Sequence, residues 1–333
     1  MSNETVGDTR GRAERRRLGK ISVVANCASG SVGPGAVAEV GAILAGFGLS
    51  ADIAAPEPHR LVDALRAALR QEPDLLIVLA GDGTARAAAA LSGPTGPLIA
   101  PLAGGTMNML PHALYGVRPW QAALRAILDD GVERPVAGGS VGGQDFCVAA
   151  ILGTPALWGL AREAARRRKL KLALVRARRA LRRAFTTKLR YSLDGAAPKR
   201  AEALILMCPL VSRAMAEQTS LEAASVNPHQ PAEVVRLGAR ALAGELFGDM
   251  MGGWRDDPTV SAGPCRRARI WASEKIPAIL DGEPVRFDRE VEVVFRPVAF
   301  RALAPRESPS LVPASSPSVF LPAGRASPTA FGA

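Results

Sequence analysis

The chain has 333 residues, with 42 lysines and arginines against 31 aspartates and glutamates, and a formal net charge of +11. A hydrophobic content of 48% with 22% charged residues excludes a wholly disordered chain. Aromatic residues make up 5% of the sequence, which argues against a base-stacking surface for single-stranded nucleic acid. The length exceeds that of a typical single domain, so we expect two domains.

The N-terminal region alternates short apolar strands with helices. Residues 1–20 are polar and predict a disordered tail. Apolar runs then predict strands at Ile21–Ala25, Leu75–Ala80 and 98–102, and amphipathic spacing predicts helices at 37–47, Leu61–Leu69 and after Thr84. Continuous apolar strands separated by helices are typical of a parallel sheet covered on both faces. We therefore predict a three-layer α/β nucleotide-binding domain over residues 21–135, with its ligand site beyond the carboxyl ends of the strands.

After Pro135 the pattern changes to short, partly alternating runs separated by Gly, Pro or Asp-Gly. These runs lie at 190–193, Ala203–Met207, 269–272 and 291–295, with helices predicted near 157–185 and 232–247. The pattern predicts a second, mostly β, sandwich-like domain over residues 136–304. Residues 305–333 contain six prolines and six serines and predict a second disordered tail.

Cysteine and histidine give no sign of a metal or disulfide site. The four cysteines are far apart in the sequence, as are the three histidines, so no metal ligands are predicted among them. Unpaired cysteines are typical of a reduced, cytoplasmic setting. Every long uncharged stretch is interrupted by proline or glycine, so no membrane-spanning helix is predicted and we expect a soluble or peripheral protein.

The positive charge is concentrated in one segment. Thirteen lysines and arginines lie between Arg162 and Arg190 with Glu163 as the only acid, so this segment carries +12 and the rest of the chain is close to neutral. Leu174 and Leu181 share one stripe of a helical wheel, and arginines occupy the other side. A basic amphipathic helix over 162–190 suits an anionic membrane surface, and a solvated helix packed on the second domain is the alternative. We predict no nucleic-acid partner.

Three loops at the predicted strand ends carry residue types that bind phosphate. They are 26–30 (Asn-Cys-Ala-Ser-Gly), 81–84 (Gly-Asp-Gly-Thr) and 101–108 (Pro-Leu-Ala-Gly-Gly-Thr-Met-Asn). Glycine lets the backbone approach phosphate oxygens closely, and a helix N-terminus offers free N–H donors. Asp82 can act through Mg²⁺ or orient an attacking group, and Thr84 can donate to phosphate or cap the helix. A strand-to-helix turn with a threonine cap is the purely structural interpretation.

In this order the three loops resemble the motifs of the diacylglycerol kinase and sphingosine kinase superfamily of lipid kinases. A fourth segment, 280–283 (Leu-Asp-Gly-Glu), resembles the Asp-Gly-Glu motif of the family's β-rich second domain. The resemblance implies transfer of the γ-phosphoryl group of ATP to a lipid hydroxyl, with Mg²⁺. By position it implies an ATP site formed by Asn26, Ser29, Gly30, Ala80, Gly81, Asp82, Gly83, Thr84, Gly105, Thr106 and Asn108. It also implies Asp281 as the general base, with Asp82 as a further catalytic residue and Glu283 close to the base. For Asp281 the structural alternative is an Asp-Gly hairpin turn.

Some positions depart from the family's pattern. Cys27 stands in place of a proline, Ala80 in place of the first glycine of the Gly-Gly-Asp-Gly-Thr loop, and Ala55 in place of a nucleotide-side threonine. Residues 218–222 (Gln-Thr-Ser-Leu-Glu) stand where bacterial members carry a metal-supporting Asp-Gly-x-Leu-Asp segment, so we predict no metal in the second domain.

These departures keep a catalytically impaired lipid- or nucleotide-binding regulatory protein as the alternative. A soluble enzyme resembling NAD kinases is less favoured, because their Asn-Glu signature after the loop is absent. The sequence leaves open which lipid is the substrate, with diacylglycerol, a sphingoid base, ceramide and phosphatidylglycerol as options. It also leaves open whether the chain forms a homodimer.

Overall fold

The computed structural model describes residues 18–29, 31–154, 156, 189–212, 219–227 and 260–306. Both predicted tails and the basic segment lie largely outside these residues, as do the helices predicted near 157–185 and 232–247.

Four parallel strands form the first part of the fold. They pair in the order β2-β1-β3-β4 and are β1 (Ile21–Ala25), β2 (Asp52–Ala54), β3 (Leu75–Ala80) and β4 (Leu98–Ala103). Five helices accompany them: α1 (Ala36–Gly46), α2 (Leu61–Leu69), α3 (Asp82–Ser92), α4 (Met109–Tyr115) and α5 (Trp120–Asp130). Every residue of β1 and β3 is buried, as expected for strands covered on both faces. The predicted strands and the first two helices of this region are confirmed to within one residue. The third helix was predicted to follow Thr84 but begins earlier, at Asp82, and β2, α4 and α5 were not predicted.

The second part of the fold is a sandwich of two sheets. Its strands are β5 (Gly131–Val141), β6 (Gln144–Phe146), β7 (Ala149–Gly153), β8 (Leu189–Leu193), β9 (Lys199–Ala201), β10 (Ala203–Met207), β11 (Leu221–Val226), β12 (Val260–Cys265), β13 (Arg267–Trp271), β14 (Ile276–Leu280), β15 (Glu283–Phe287) and β16 (Glu290–Pro305). One sheet is antiparallel, in the order β12-β11-β10-β7-β14-β15. The core between the sheets joins Leu204 and Leu280 of this sheet to Ile270 of the other. The predicted α/β region with a β-sandwich is therefore the observed fold class.

The long strand β16 joins the two parts. Its first half pairs antiparallel with β13, and its second half lies beside β4, where Ala302 is opposite Ile99 in a parallel register. Phe300 and Leu303 of this second half belong to the core of the parallel region, and the Tyr115 hydroxyl donates to the Leu303 carbonyl over 3.2 Å. The parallel sheet and one sheet of the sandwich are thus a single ten-stranded sheet.

Within the described part of the chain, no helix combines the length and apolarity needed to cross a bilayer. All four cysteines are unpaired; Cys27 is half-buried and the other three are buried.

Candidate functional site

The three predicted phosphate loops meet at one edge of the parallel sheet. They follow β1, β3 and β4, which are neighbours, so their carboxyl ends lie side by side. The backbones of Gly81 and Gly105 approach so closely that a Cβ on Gly105 would lie 2.6 Å from the Gly81 Cα. The Ser29 hydroxyl donates to the Gly104 carbonyl, and the Ser31 hydroxyl donates to the Gly105 carbonyl over 2.8 Å. Glycine at 105 is therefore required by the contact between loops.

Asn108 shapes the loop after β4. It adopts a left-handed conformation with φ 51° and is 8% exposed. Its Oδ1 accepts from the Gly105 N–H over 2.7 Å, and its Nδ2 donates to the Gly105 carbonyl over 3.0 Å. The side chain that was predicted to contact ATP is thus engaged in holding the turn that contains Gly105 and Thr106.

The start of α3 faces the same edge. Gly81 is its N-cap residue and no side chain caps the helix, so the cap alternative for Thr84 is wrong. The first N–H groups of an uncapped helix favour an anion. Asp82, in the first turn, is half-buried, and its Oδ1 accepts from the Leu110 N–H over 3.2 Å. The pKa of Asp82 is raised to about 6, mainly by burial and also by the Asp281 carboxylate, while backbone N–H groups oppose the rise.

Asp281 lies in the two-residue turn between β14 and β15. Asp281 and Gly282 both have positive φ, 47° and 86°, as a type I′ hairpin turn requires. Asp281 is nevertheless buried, with 4% of the residue exposed. Its Oδ2 accepts from the Cys147 N–H over 2.8 Å, and its Oδ1 accepts from the Val148 and Ala149 N–H groups over 2.9 and 3.0 Å. The hairpin-turn interpretation is confirmed, and the same residue is a buried acceptor.

The Asp-Gly-Glu turn of the second domain contacts the loop after β3. A Cβ on Gly83 would lie 3.4 Å from Glu283 Oε1. Burial raises the pKa of Asp281, whereas its three backbone donors and the positive charge of Arg86 lower it. Arg86 was not predicted as a site residue, although its spacing of four from Asp82 places both on one face of α3. The structure thus gathers Asp82, Glu283 and Arg86 around the Asp281 turn.

Four further positions discussed from the sequence are not part of the described cluster. Gly30 and Gln218 lie outside the described residues. Ala55 is exposed just beyond β2. Glu222 is buried on β11 and accepts a hydrogen bond from the Ser212 hydroxyl.

A metal ion at this edge would need ligands beyond the protein. No group of three or more His, Cys, Asp or Glu side chains suited to a metal occurs among the described residues. Mg²⁺ is commonly held by one or two carboxylates together with substrate phosphates. Asp82 fits that arrangement, because its carboxylate lies in the first turn of a helix whose N-terminus is free to bind phosphate.

Comparison with known proteins agrees with this geometry. Residues 20–141 match the family model of the diacylglycerol kinase catalytic domain, which confirms the resemblance predicted from the loops. A solved structure of a diacylglycerol kinase from Bacillus anthracis strain Sterne aligns with a TM-score of 0.60 at 15% identity, over 86% of this chain and 96% of that one. A second structure from the same strain aligns with a TM-score of 0.61 at 18% identity, over 86% and 97%. These structures show the shared fold; among curated proteins nothing matches significantly.

Proposed function

We propose that the protein is an ATP-dependent kinase acting on a lipid hydroxyl, because residues 20–141 match the family model of the diacylglycerol kinase catalytic domain. The observation that carries the proposal is the meeting of three glycine-rich loops with the Asp82 and Asp281 carboxylates at one sheet edge. Glycine loops and the free α3 N-terminus suit the phosphates of a nucleotide. Such an enzyme would take part in phospholipid metabolism.

In the proposed reaction, the lipid oxygen forms a bond to the γ-phosphorus while the bond from that phosphorus to the β–γ bridging oxygen breaks. The bonding electrons leave with ADP, and the hydroxyl proton passes to a carboxylate. Asp281 suits this role, because each carboxylate oxygen can accept two hydrogen bonds and Oδ2 accepts only one from the described backbone. The three N–H donors would hold the carboxylate in a fixed orientation.

ATP and Mg²⁺ are the proposed cofactors. The metal would neutralise charge on the transferring phosphoryl group. Asp82 would help to hold the ion, and Gly81, Gly83 and Gly105 would allow the backbone to approach the phosphates. Ser29 orients the loop after β4 through its bond to the Gly104 carbonyl, which supports a positioning role.

We also propose that the second domain contacts an anionic membrane surface. The basic segment 162–190 is mostly outside the described residues, but its last residue, Arg190, lies on the exposed face of β8 directly opposite Arg200 of β9. Like charges directly opposite on a sheet repel each other, and an anionic surface would relieve that repulsion. The wild type should co-sediment with vesicles that contain anionic lipid. A variant with Arg178, Arg179, Arg182 and Arg183 changed to Glu should stay in the supernatant. Equal binding of both proteins would contradict the proposal.

Phosphorylation of a lipid panel tests the proposed function. Radiolabelled ATP and Mg²⁺ are offered with diacylglycerol, a sphingoid base, ceramide or phosphatidylglycerol in mixed micelles, and with NAD in a parallel reaction. We expect label in one lipid with the wild type and none with Asp82→Asn. Nucleotide binding without transfer to any acceptor would favour the regulatory-protein alternative, and transfer to NAD would favour the soluble kinase.

A further inference from the structure

Arg86 is a cation at the candidate site that acts on the Asp281 carboxylate at a distance and makes no direct ion pair among the described residues. It lies on α3 and is half-buried. Several other arginines are paired, for example Arg269 with Glu290 and Arg301 with Glu133, at 2.6 and 2.8 Å. Arg86 has neither an ion pair nor a hydrogen bond with any residue that the structure describes. A half-buried guanidinium that makes no hydrogen bond to the described residues is suited to an anionic ligand.

The position of Arg86 identifies where that ligand would lie. Its helix packs against β6, just before the backbone that holds Asp281. Its charge acts on the pKa values of both Asp281 and Cys147, lowering each against the effect of burial. Arg86 also follows Asp82 by one helical turn, so both point from the same face of α3. Arg86 thus shares a face of α3 with Asp82 and is near enough to the Asp281 turn to act on its charge.

Charge at this place argues for a phosphate ligand. Two carboxylates, Asp82 and Asp281, interact with each other, and Glu283 lies against the same loop. A nucleotide would bring several further negative charges. Such a site needs positive charge, and a guanidinium matches the geometry of phosphate oxygens through paired N–H donors.

We propose that Arg86 binds the γ-phosphate of ATP and stays bound to that phosphoryl group during transfer. The proposal rests on the proposed function. In the proposed reaction the lipid oxygen lies about 3 Å from the Asp281 carboxylate and about 3 Å from the γ-phosphorus. The phosphoryl oxygens therefore lie within a few ångströms of that carboxylate. Arg86 would approach this space from α3, whereas the N–H groups that hold Asp281 belong to residues 147–149. Its positive charge offsets the negative charge of the phosphate and of the nearby carboxylates.

The test compares ATP and ADP binding by calorimetry in the presence of Mg²⁺, with no lipid. The variants are Arg86→Gln, Arg86→Lys and, as a matched control, Arg125→Gln on the exposed face of α5. Arg86→Gln should weaken ATP binding by about tenfold or more and change ADP binding by less than about twofold, because ADP has no γ-phosphate. Arg86→Lys keeps the charge but not the paired donors, so its loss should be intermediate. Arg125→Gln should match the wild type.

An unchanged preference for ATP over ADP in Arg86→Gln would overturn the proposal, as would a wild type that binds the two nucleotides equally. If Arg86→Gln does not fold, the test uses Arg86→Lys. A preference for ATP over ADP as large as that of the wild type in this variant would overturn the paired contact. Turnover of the preferred lipid should fall about 10²- to 10³-fold in Arg86→Gln. A wild type that prefers ATP but phosphorylates no lipid would contradict the kinase function and leave the Arg86 contact supported.

Discussion

Asp82 stands in a position that lowers the stability of the protein at neutral pH. The folded protein raises its pKa from 3.8 to about 6, mainly through burial and then through the neighbouring Asp281 carboxylate. The folded state therefore holds the Asp82 proton more tightly than the unfolded state. The stability that comes with this proton is complete below about pH 4 and is lost as pH rises through about pH 6.

The magnitude follows from the shift in pKa. A rise of about two units corresponds to about 3 kcal/mol of free energy of unfolding, and about 2 kcal/mol remains after allowing for solvent screening of a half-buried group. Asp82→Asn removes the charge and keeps an oxygen that can accept from the Leu110 N–H. We expect this variant to be about 2 kcal/mol more stable than the wild type at about pH 8 and equal to it near pH 4.

Urea unfolding of both proteins across this range is the assay. The difference in the free energy of unfolding should grow between about pH 4 and pH 6 and then stay constant. Asp129→Asn, on the exposed end of α5, serves as the control and should change stability by less than about 0.5 kcal/mol at every pH. A variant that is less stable than the wild type at pH 8, or a difference that does not vary with pH, would refute the reasoning.

Three further changes test the geometry of the loops by the same unfolding measurement. Gly105→Ala places a Cβ 2.6 Å from the Gly81 backbone and should lower stability by about 1–3 kcal/mol. The control Gly46→Ala has no atom within 4 Å of the new Cβ and should raise stability by up to about 1 kcal/mol. Equal effects of the two changes would contradict the close approach of the loops. Asn108→Ala and Asn108→Gly both lose the two side-chain hydrogen bonds, but only alanine is strained by the left-handed backbone at this position. Asn108→Ala should therefore be less stable than Asn108→Gly by about 1 kcal/mol. The reverse order would exclude backbone strain at residue 108. Asp281→Asn turns an amide N–H₂ group towards backbone donors and should cost about 2–3 kcal/mol; an unchanged stability would mean that the three donors do not hold the side chain.

The last of these effects determines how the proposed general base should be examined. Loss of activity in Asp281→Asn does not by itself identify a base, because the same change removes the acceptor that organises residues 147–149. Asp82→Asn is the cleaner inactive control, since it should fold and be more stable. Activity of Asp281→Asn therefore needs to be measured at a temperature where urea unfolding shows that the variant is folded.

The sequence was sufficient for the parallel part of the fold and insufficient for the joint between the two parts. β1 and β3 are continuous apolar runs, and α2 has clear amphipathic spacing, so local patterns define them. β2 has three partly exposed residues and no such pattern. The second half of β16 was not predicted because its pairing with β4 is long-range. Ala302 pairs with Ile99, about two hundred positions earlier in the chain, and no local pattern signals such a pairing.

The candidate site divides in the same way. The motifs located Asp82 and Asp281, because glycine turns and Asp-Gly pairs are short-range signals. The approach of Glu283 to Gly83 and the placement of Arg86 beside the Asp281 turn depend on how the second domain folds back, which no local pattern carries. The role of Asn108 within its turn depends on a left-handed φ that its residue type permits but does not dictate.

The departures from the family's motifs can be weighed by their place in the fold. Ala80 is fully buried as the last residue of β3, where its carbonyl accepts from the Gly104 N–H over 3.1 Å. Its methyl group therefore fills core space, and the glycine turn after β3 begins one residue later, at Gly81. Ala55 is exposed beyond the short edge strand β2, on the far side of β1 from the loop after β4. Both substitutions therefore lie outside the cluster of Asp82, Arg86 and Asp281.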